Sequence, residues 1–505
     1  MTMKPRTTGI ALTVFALVAA VMRALGLNAP LFKVPFLMGG AAGWPLCILL
    51  MLTGLWLVFR GKASWNFSPI TVKKLRRFQA IRRGYISFVI LLGLGALASL
   101  DTLIVGKRAL MVSYEGRWHF PFITQVLPAK TFGLKDDAEA DYRELQAKFR
   151  EEKKGNWVLM PLVPYDAALD SPPIIEEIEN REGKVFMKGH AEPFSGTAYS
   201  VFISDPSKKR QEWQFRHGVR QGEMRGYDLG GDLIEKGRFD HGEQVDYKDF
   251  SSGKAAGFKD QAHPQWRTLI YPPAAPSWET RHYLGTNSTG IDVLAMLYGG
   301  LQQSLATALL YLAITFTLGM IIGGALGYFG GLLDMLGQRV IEIWSVLPFL
   351  FVVMIISSLV QPTLVVLVAI VAAFGWMETA SYIRTATYRE KERDYVAAAR
   401  LLGAGTGRIL FHHVMPNVIA ILVTLAPFKV AGVIVALASL DFLGFGLPPD
   451  VPSWGRLLHE GVENFSAPWI VTSAFAAMAL VLVLVTFIGE AVREAFDPKK
   501  FTTYE

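Results

Sequence analysis

Apolar residues in this chain are bunched rather than spread. A window of about 19 residues picks out eight stretches able to cross the roughly 30 Å of a bilayer's hydrocarbon. They run from about 8 to 25, 43 to 59, 85 to 105, 301 to 328, 338 to 359, 363 to 382, 418 to 440 and 468 to 489. Between the third and fourth lies a polar segment from about 106 to 299, too long for a linker and sized for a folded domain. The pattern predicts an all-α polytopic membrane protein of about eight transmembrane helices with one soluble insert. Lys4 and Arg6 precede the first apolar run as in a secretory signal. No small-residue cleavage site ends that run and a second span follows, which predicts a retained helix.

Inside the insert the periodicity changes. Met111 to Leu162 mixes aromatics with a charged run near Asp136 to Lys154, which predicts an exposed helix. Further on, Phe215-Arg216-His217-Gly218 returns 24 residues later as Phe239-Asp240-His241-Gly242, with Gly222, Tyr227, Gly230, Gly231 and Gly237 between. Aromatics alternating with polar residues, and glycine at the corners, predict successive hairpins and so a β-rich insert. His217 and His241 share a repeat position, which suits a structural place on the sheet better than a metal site.

Composition agrees with a membrane protein: 51% of residues are hydrophobic and the mean hydropathy is +0.32. The net charge of +7 is unevenly placed. Arg60, Lys62, Lys73, Lys74, Arg76, Arg77, Arg82 and Arg83 fall within 60 to 83 without an acid among them. Short basic loops stay cytoplasmic. Counting outward then puts both termini in the cytoplasm, the insert outside the membrane, and Arg384, Arg389, Lys391, Arg393, Arg400 and Arg408 in the cytoplasm. A basic patch between two spans fits topology or anionic lipid, and not nucleic acid. The single cysteine, Cys47, lies in the second span, so no intrachain disulfide forms. Asn287-Ser288-Thr289 matches a glycosylation triplet, a pattern common by chance.

The chemistry of catalysis is missing from the pattern. There is no Gly-x-x-x-x-Gly-Lys-Ser/Thr phosphate loop and no His-Glu-x-x-His. His412 and His413 are adjacent and so fall on different helix faces. The chain is expected to be no enzyme, to bind no metal or cofactor, and to draw energy from a partner. Gly319, Gly323, Gly327 and Gly331 recur every fourth residue, a spacing that lets membrane helices approach closely. Pro348, inside the fifth span, is expected to kink it. A charge inside a span costs about 2.5 to 3.5 kcal/mol at the centre and less near an end. Glu342, Glu378 and Asp441 therefore stand out, Glu342 and Glu378 either in structural pairs or facing a substrate. Together with Pro348 they form the candidate pathway set, and the stiff Gly- and Pro-rich loop from 442 to 452 resembles the periplasmic gate region of ATP-binding-cassette importer permeases, which implies a place in that set for Trp454.

Tyr395 to Asn417, YVAAARLLGAGTGRILFHHVMPN, is a polar interruption among the C-terminal spans. Two short helical runs flank Gly403-Ala404-Gly405, with Ala398 and Ala399 one turn earlier, and Pro416 is expected to end the second run. Ala-Ala-x-x-x-Gly followed at a distance by proline resembles the EAA loop of ATP-binding-cassette (ABC) importer permeases, with Ala397 where the family carries glutamate. The resemblance implies that Tyr395, Ala397, Ala398, Ala399, Gly403, Ala404, Arg408 and Pro416 belong to a coupling loop that docks on an ATPase subunit. LGTNSTGIDVLAMLYGG from 284, FGWMETASYIRTATYR from 374, SLDFLGFGLPPDVPSWGRLL from 439 and FIGEAVREAFDPKK from 487 resemble the dipeptide and oligopeptide branch. Ile291 and Gln302 or Gln303 replace arginines common there. WSVLPFLFVVMIISSLVQP, YEGRWHFPF and GNWVLMPL look nearest to the permease of microcin C and oligopeptide uptake. The stretch from about 183 to 253, with PFSGTAY and QGEMRGYDLGGDLIEKGRF, resembles MORN-type repeats.

The organisation expected from all this is two extra N-terminal helices over 1 to 60, and a basic cytoplasmic segment with the first core helix over 61 to 106. A periplasmic domain over 107 to 282 and a permease core over 283 to 500, with its coupling loop at 395 to 417, complete it. The resemblance implies a bacterial inner-membrane subunit importing peptides by alternating access. Its implied partners are ATPase subunits that bind ATP and Mg, a second permease, a periplasmic peptide-binding protein and membrane lipid. Two other readings fit the residues: a membrane-tethered adaptor or sensor acting through its repeat domain, and an import subunit for another small solute such as nickel or glutathione.

Overall fold

The computed structural model describes residues 12–17, 51, 53 and 69–496, apart from the internal stretches 101–102, 124–125, 135–136, 153, 169, 182, 189–190, 203–207, 250–265 and 361–362. The first two predicted spans lie mostly outside the described residues, which keep 12–17 of the first and 51 and 53 of the second. The chain forms two compact units, one of residues 1–170 with 291–505 and the other Ser171–Gly290. The segment expected as a single insert is thus divided at residue 170.

The larger unit is helical. After the basic helix α1 (Pro69–Ala80), α2 (Arg82–Ser99) enters the apolar part of the chain. Then follow α4 (Val293–Phe329), α5 (Gly331–Val346), α6 (Phe349–Leu359), α7 (Leu364–Glu390), α8 (Asp394–Leu401), α9 (Thr406–Phe442), α10 (Trp454–Glu463) and α11 (Pro468–Phe496). Among the described residues α2, α4, α7, α9 and α11 are each long and apolar enough to span a membrane. The pair α5 and α6, bent by 71°, makes a sixth crossing if taken as one span. Six of the eight predicted spans therefore have a described counterpart, and the count of eight is not reached within the described residues. At the bend Leu347 is extended, with ψ of 124°, because the proline ring that follows disfavours the helical region for the residue before it. Pro348 breaks the span instead of kinking it.

The glycine row has a direct structural reason. A Cβ on Gly319 would meet Thr379, one on Gly323 would overlap the backbone of Ala380, and one on Gly327 would overlap the carbonyl of Arg384. All three partners are on α7, so the row sets two helix backbones against each other. Gly331, the fourth member, lies past the break with φ of +56° and has no such neighbour. From the other side, Gly375 of α7 leaves room for the ring of Tyr311 on α4. Around this seam the core gathers Ala308, Tyr311, Val353, Leu367, Val368, Val371, Val433 and Leu440.

The same unit holds a small antiparallel sheet, order β2-β1-β3, of β1 (Met111–Tyr114), β2 (Arg117–His119) and β3 (Trp157–Leu159). Helix α3 (Tyr142–Glu152) covers it with Tyr142, Leu145 and Phe149, and this is the helix expected in the charged run. Burial pushes the Tyr142 phenol up to about 12.

The second unit is a sheet of eight antiparallel strands in the order β10-β9-β8-β7-β6-β11-β4-β5. They are β4 (Ile174–Arg181), β5 (Lys184–Met187), β6 (Gly196–Val201), β7 (Lys209–Arg216), β8 (Val219–Tyr227), β9 (Leu233–Asp240), β10 (Glu243–Asp249) and β11 (Trp266–Ile270). The repeated His-Gly pairs make the two-residue corners β7–β8 and β9–β10, where Arg216 faces Val219 and Asp240 faces Glu243. His217 and His241 have φ of +49° and +47°, and Gly218 and Gly242 of +78° and +92°. Positive φ at both central residues is the turn whose twist matches paired strands. Trp213, Phe215, Met224 and Phe239 fill one face, and beneath Gly226 lies a buried ion pair of Arg210 with Glu235 at 3.1 Å.

Candidate functional site

Helix α8 opens with Asp394, an acid in its first turn that suits the positive end of the helix dipole. Three residues apart, Val396 and Ala399 turn inward onto Ile383, Ile409, Val414, Met415, Val418 and Leu422. That register leaves Ala397 and Ala398 facing out. The helix ends with the Gly403 N–H on the Arg400 carbonyl at 3.0 Å and the Ala404 N–H on the Ala399 carbonyl at 3.0 Å. This pair of bonds requires a left-handed residue between them, and Gly403 supplies it at φ of +79°. Nothing lies within 4 Å of where its Cβ would be, so the demand is on backbone conformation and not on space.

At the tip, Leu401 and Leu402 are 90% and 87% exposed, and Phe411 is 67% exposed. Leu401 and Leu402 follow the exposed Ala397 and Ala398 on the same short helix and its cap, so apolar surface is concentrated there. Arg408 is exposed on the far side of the turn.

Pro416 does not end the second run. Helix α9 passes through it from Thr406 to Phe442, with a π-helical turn at Ile409–Val414. There the Met415 N–H reaches five residues back to the Leu410 carbonyl. A proline ring clashes with the carbonyl four residues earlier, and the wider turn relieves that clash. The loop is tied to this turn by Tyr395. Its hydroxyl donates to Glu390 at 2.6 Å and accepts from Asn417 Nδ2 at 2.9 Å, and Asn417 also holds the His413 carbonyl at 3.1 Å. Burial, then the Glu390 carboxylate, raises the Tyr395 phenol above its ordinary range.

The candidate pathway residues fall in separate places. Glu342 is on α5 and pairs with Arg339 at 2.6 Å. Pro348 caps α6 at the bend. Glu378 of α7 pairs with Lys429 of α9, whose amine also donates to the Gly375 carbonyl at 3.3 Å. Glu378 lines an open cleft of about 1470 Å³ with Tyr382, Glu390, Asn417, Thr424 and Phe428. Asp441 is buried and accepts from Leu447 N–H at 2.6 Å and from the Ser453 hydroxyl, which folds the loop after α9 back on that helix. Trp454 is buried against Gly300, its indole N–H on the Leu297 carbonyl at 2.9 Å.

Three cations that tie these elements together were not picked out in that role from sequence. Lys429 is a lone cation inside an apolar span, a signal that was available. Arg384, expected among the loop cations, is on α7 and forms a two-pronged pair with Asp334 of α5. Arg456 stiffens the loop by donating to the carbonyls of Leu447, Pro448, Pro449 and Val451 at 2.6 to 3.1 Å. Among the described residues no group of three or more His, Cys, Asp or Glu gathers to hold a metal ion.

Residues 296–502, which include this loop, match the family model described as binding-protein-dependent transport system inner membrane component. The chain is 32% identical over 435 residues to the inner membrane ABC transporter permease protein YejE of Escherichia coli (strain K12), covering 86% of this chain and 99% of that protein. It is 30% identical over 440 residues to the peptidoglycan transport system permease protein YejE of Agrobacterium fabrum (strain C58 / ATCC 33970), covering 87% and 95%. The oligopeptide transport system permease protein OppC of Mycobacterium bovis (strain ATCC BAA-935 / AF2122/97) is 35% identical over 237 residues, covering 46% of this chain and 79% of that one.

Proposed function

The chain belongs to the family of binding-protein-dependent transport system inner membrane components, the permease subunits of ABC importers, and from that premise we propose that it carries peptides or peptide-like compounds across the bacterial inner membrane. The observation that carries the substrate class is the likeness over 99% of one permease and 95% of another named for peptidoglycan transport, with an oligopeptide permease matching the core. Oligopeptides and peptidoglycan share peptide chemistry.

In this reading Leu401, Leu402, Ala397 and Ala398 seat in an ATPase subunit, and Gly403 sets the angle at which they are presented. ATP and Mg are bound by two such subunits, whose closure moves α8 and, through the π turn, α9. A second permease completes the pathway and a periplasmic binding protein delivers the peptide. Both termini lie in the cytoplasm, the Ser171–Gly290 unit lies outside, and lipid surrounds the spans. Glu378 and Lys429 face the route between the two permeases.

The test is to purify the chain from its native membrane, identify what accompanies it, and reconstitute the assembly for ATPase and peptide-uptake assays. Recovery of ATPase subunits with peptide-dependent uptake is expected, and recovery without any ATPase overturns the proposal. Gly403→Asp is expected to leave insertion intact and cut uptake at least tenfold while the ATPase keeps turning over. Normal uptake in that variant removes the loop from the mechanism.

A further inference from the structure

Asp441 lies in the last turn of α9, at the negative end of the helix dipole, where an acid is least favoured. It is also buried, at 9% exposure. The two bonds it accepts, from the Leu447 N–H and the Ser453 hydroxyl, come from neutral donors. Arg456, the cation nearest in the loop, turns its guanidinium to the carbonyls of Leu447, Pro448, Pro449 and Val451. Among the described residues no cation bonds to Asp441. A buried carboxylate is costly unless its charge is met as well as its hydrogen bonds.

Beside it lies a cavity of about 20 Å³, room for one water-sized occupant. The wall brings together Gln303, Ser304 and Thr307 of α4, Asp441 of α9, and Ser453, which caps α10. Thr307 is 1% exposed, and its hydroxyl has no partner among the described residues. Further along α4 the Thr315 hydroxyl, by contrast, donates to its own helix at the Tyr311 carbonyl. Gln303 and Ser304 also make no side-chain bond among the described residues, and both are only partly buried, which gives the cavity a mouth. A carboxylate has about four lone-pair sites, so the two bonds Asp441 accepts leave it capacity for another neighbour. Gly446 permits the tight fold around it, since a Cβ there would overlap Asp441 Oδ1.

The side chains that meet here offer oxygen: a carboxylate, three hydroxyls and an amide. Hard cations take oxygen ligands, whereas zinc sites draw chiefly on nitrogen and sulfur. A single carboxylate matches a single positive charge, and a divalent ion is better served by several. A water fits the volume but leaves the negative charge unmet. We propose that this cavity binds one alkali-metal cation, sodium or potassium, which joins α4, α9 and the loop from 443 to 453. The site does not depend on which solute the chain carries.

The full chain in lipid nanodiscs is assayed for binding of radioactive sodium and of radioactive rubidium, a tracer for potassium, against a background of choline. Saturable binding of one or both is expected, and the tighter of the two names the ion. Thr307→Val keeps the shape of the side chain and removes its hydroxyl; it is expected to weaken binding at least tenfold. Asp441→Asn is expected to abolish it. The thermal midpoint of the detergent-solubilised chain is expected to be higher in the chloride of the bound ion than in choline chloride at equal ionic strength, with the difference gone in Thr307→Val. That variant keeps the test decisive if Asp441→Asn does not insert. No saturable binding, or binding unchanged in Thr307→Val, overturns the site and assigns the cavity to a water.

Discussion

On α4, a Cβ added to Gly323 would run into the backbone of Ala380; at the β9–β10 corner, Gly242 has φ of +92° and its nearest neighbour is the side chain of Val219 at 3.2 Å. One glycine is there for what it lacks, and the other for the conformation it adopts. The two units differ inside as well. The α4–α7 seam brings backbones together through missing side chains, whereas the sheet keeps room under Gly226 for the charged pair of Arg210 and Glu235. The spacing of glycines reports which demand is being met: every fourth residue for helix approach, and a 24-residue return for matched corners.

The largest expected effect tests the interior of the sheet. Arg210→Met strands Glu235 with its charge buried, a loss of about 3–5 kcal/mol, and hydrogen exchange across β7 to β9 in the full chain should rise sharply. Protection left unchanged means that the pair is not what holds this region. Next comes the seam: Gly323→Val should cost about 1–3 kcal/mol or more through overpacking. Its detergent-solubilised thermal midpoint should fall well below that of Gly93→Ala, a helical glycine with nothing within 4 Å. Equal midpoints for the two variants erase the distinction between the units. At the corner, Gly242→Ala should cost about 1–2 kcal/mol for the left-handed backbone, with Ser costing the same, since both place one Cβ there, 3.2 Å from the Val219 side chain. The smallest effect has the opposite sign. His241→Asn should stabilise by under about 1 kcal/mol, because asparagine accepts φ of +47° more readily than histidine.

Hydropathy made the five long helices legible, because the cost of exposing backbone to lipid leaves few alternatives to a helix. The hairpin corners were legible for a related reason: a His-Gly pair between alternating strands has few other uses. The Gly403 turn was visible in the same way. What sequence did not reveal was partner choice. Arg384 with Asp334 and Lys429 with Glu378 join residues far apart in the chain, and which faces meet depends on the rotation of each helix about its axis. The two prolines show the limit of local rules. Pro348 was expected to bend a span and breaks it, while Pro416 was expected to stop a helix and is absorbed by a π turn. The division of the insert at residue 170 was equally hidden, since the small sheet is assigned to the helical unit by contacts that no local pattern announces.

The unbroken run of 37 residues from Thr406 to Phe442 has a mechanical consequence. At about 1.5 Å per residue it is a rod roughly 55 Å long, with the Leu401–Leu402 tip just before its N-terminal end and the Asp441 clamp at its C-terminal one. A tilt of about 5° at one end displaces the other by about 5 Å if the rod stays straight. Pro427, inside the helix, is the place where that straightness is weakest, and so the point at which such a tilt is passed on or lost.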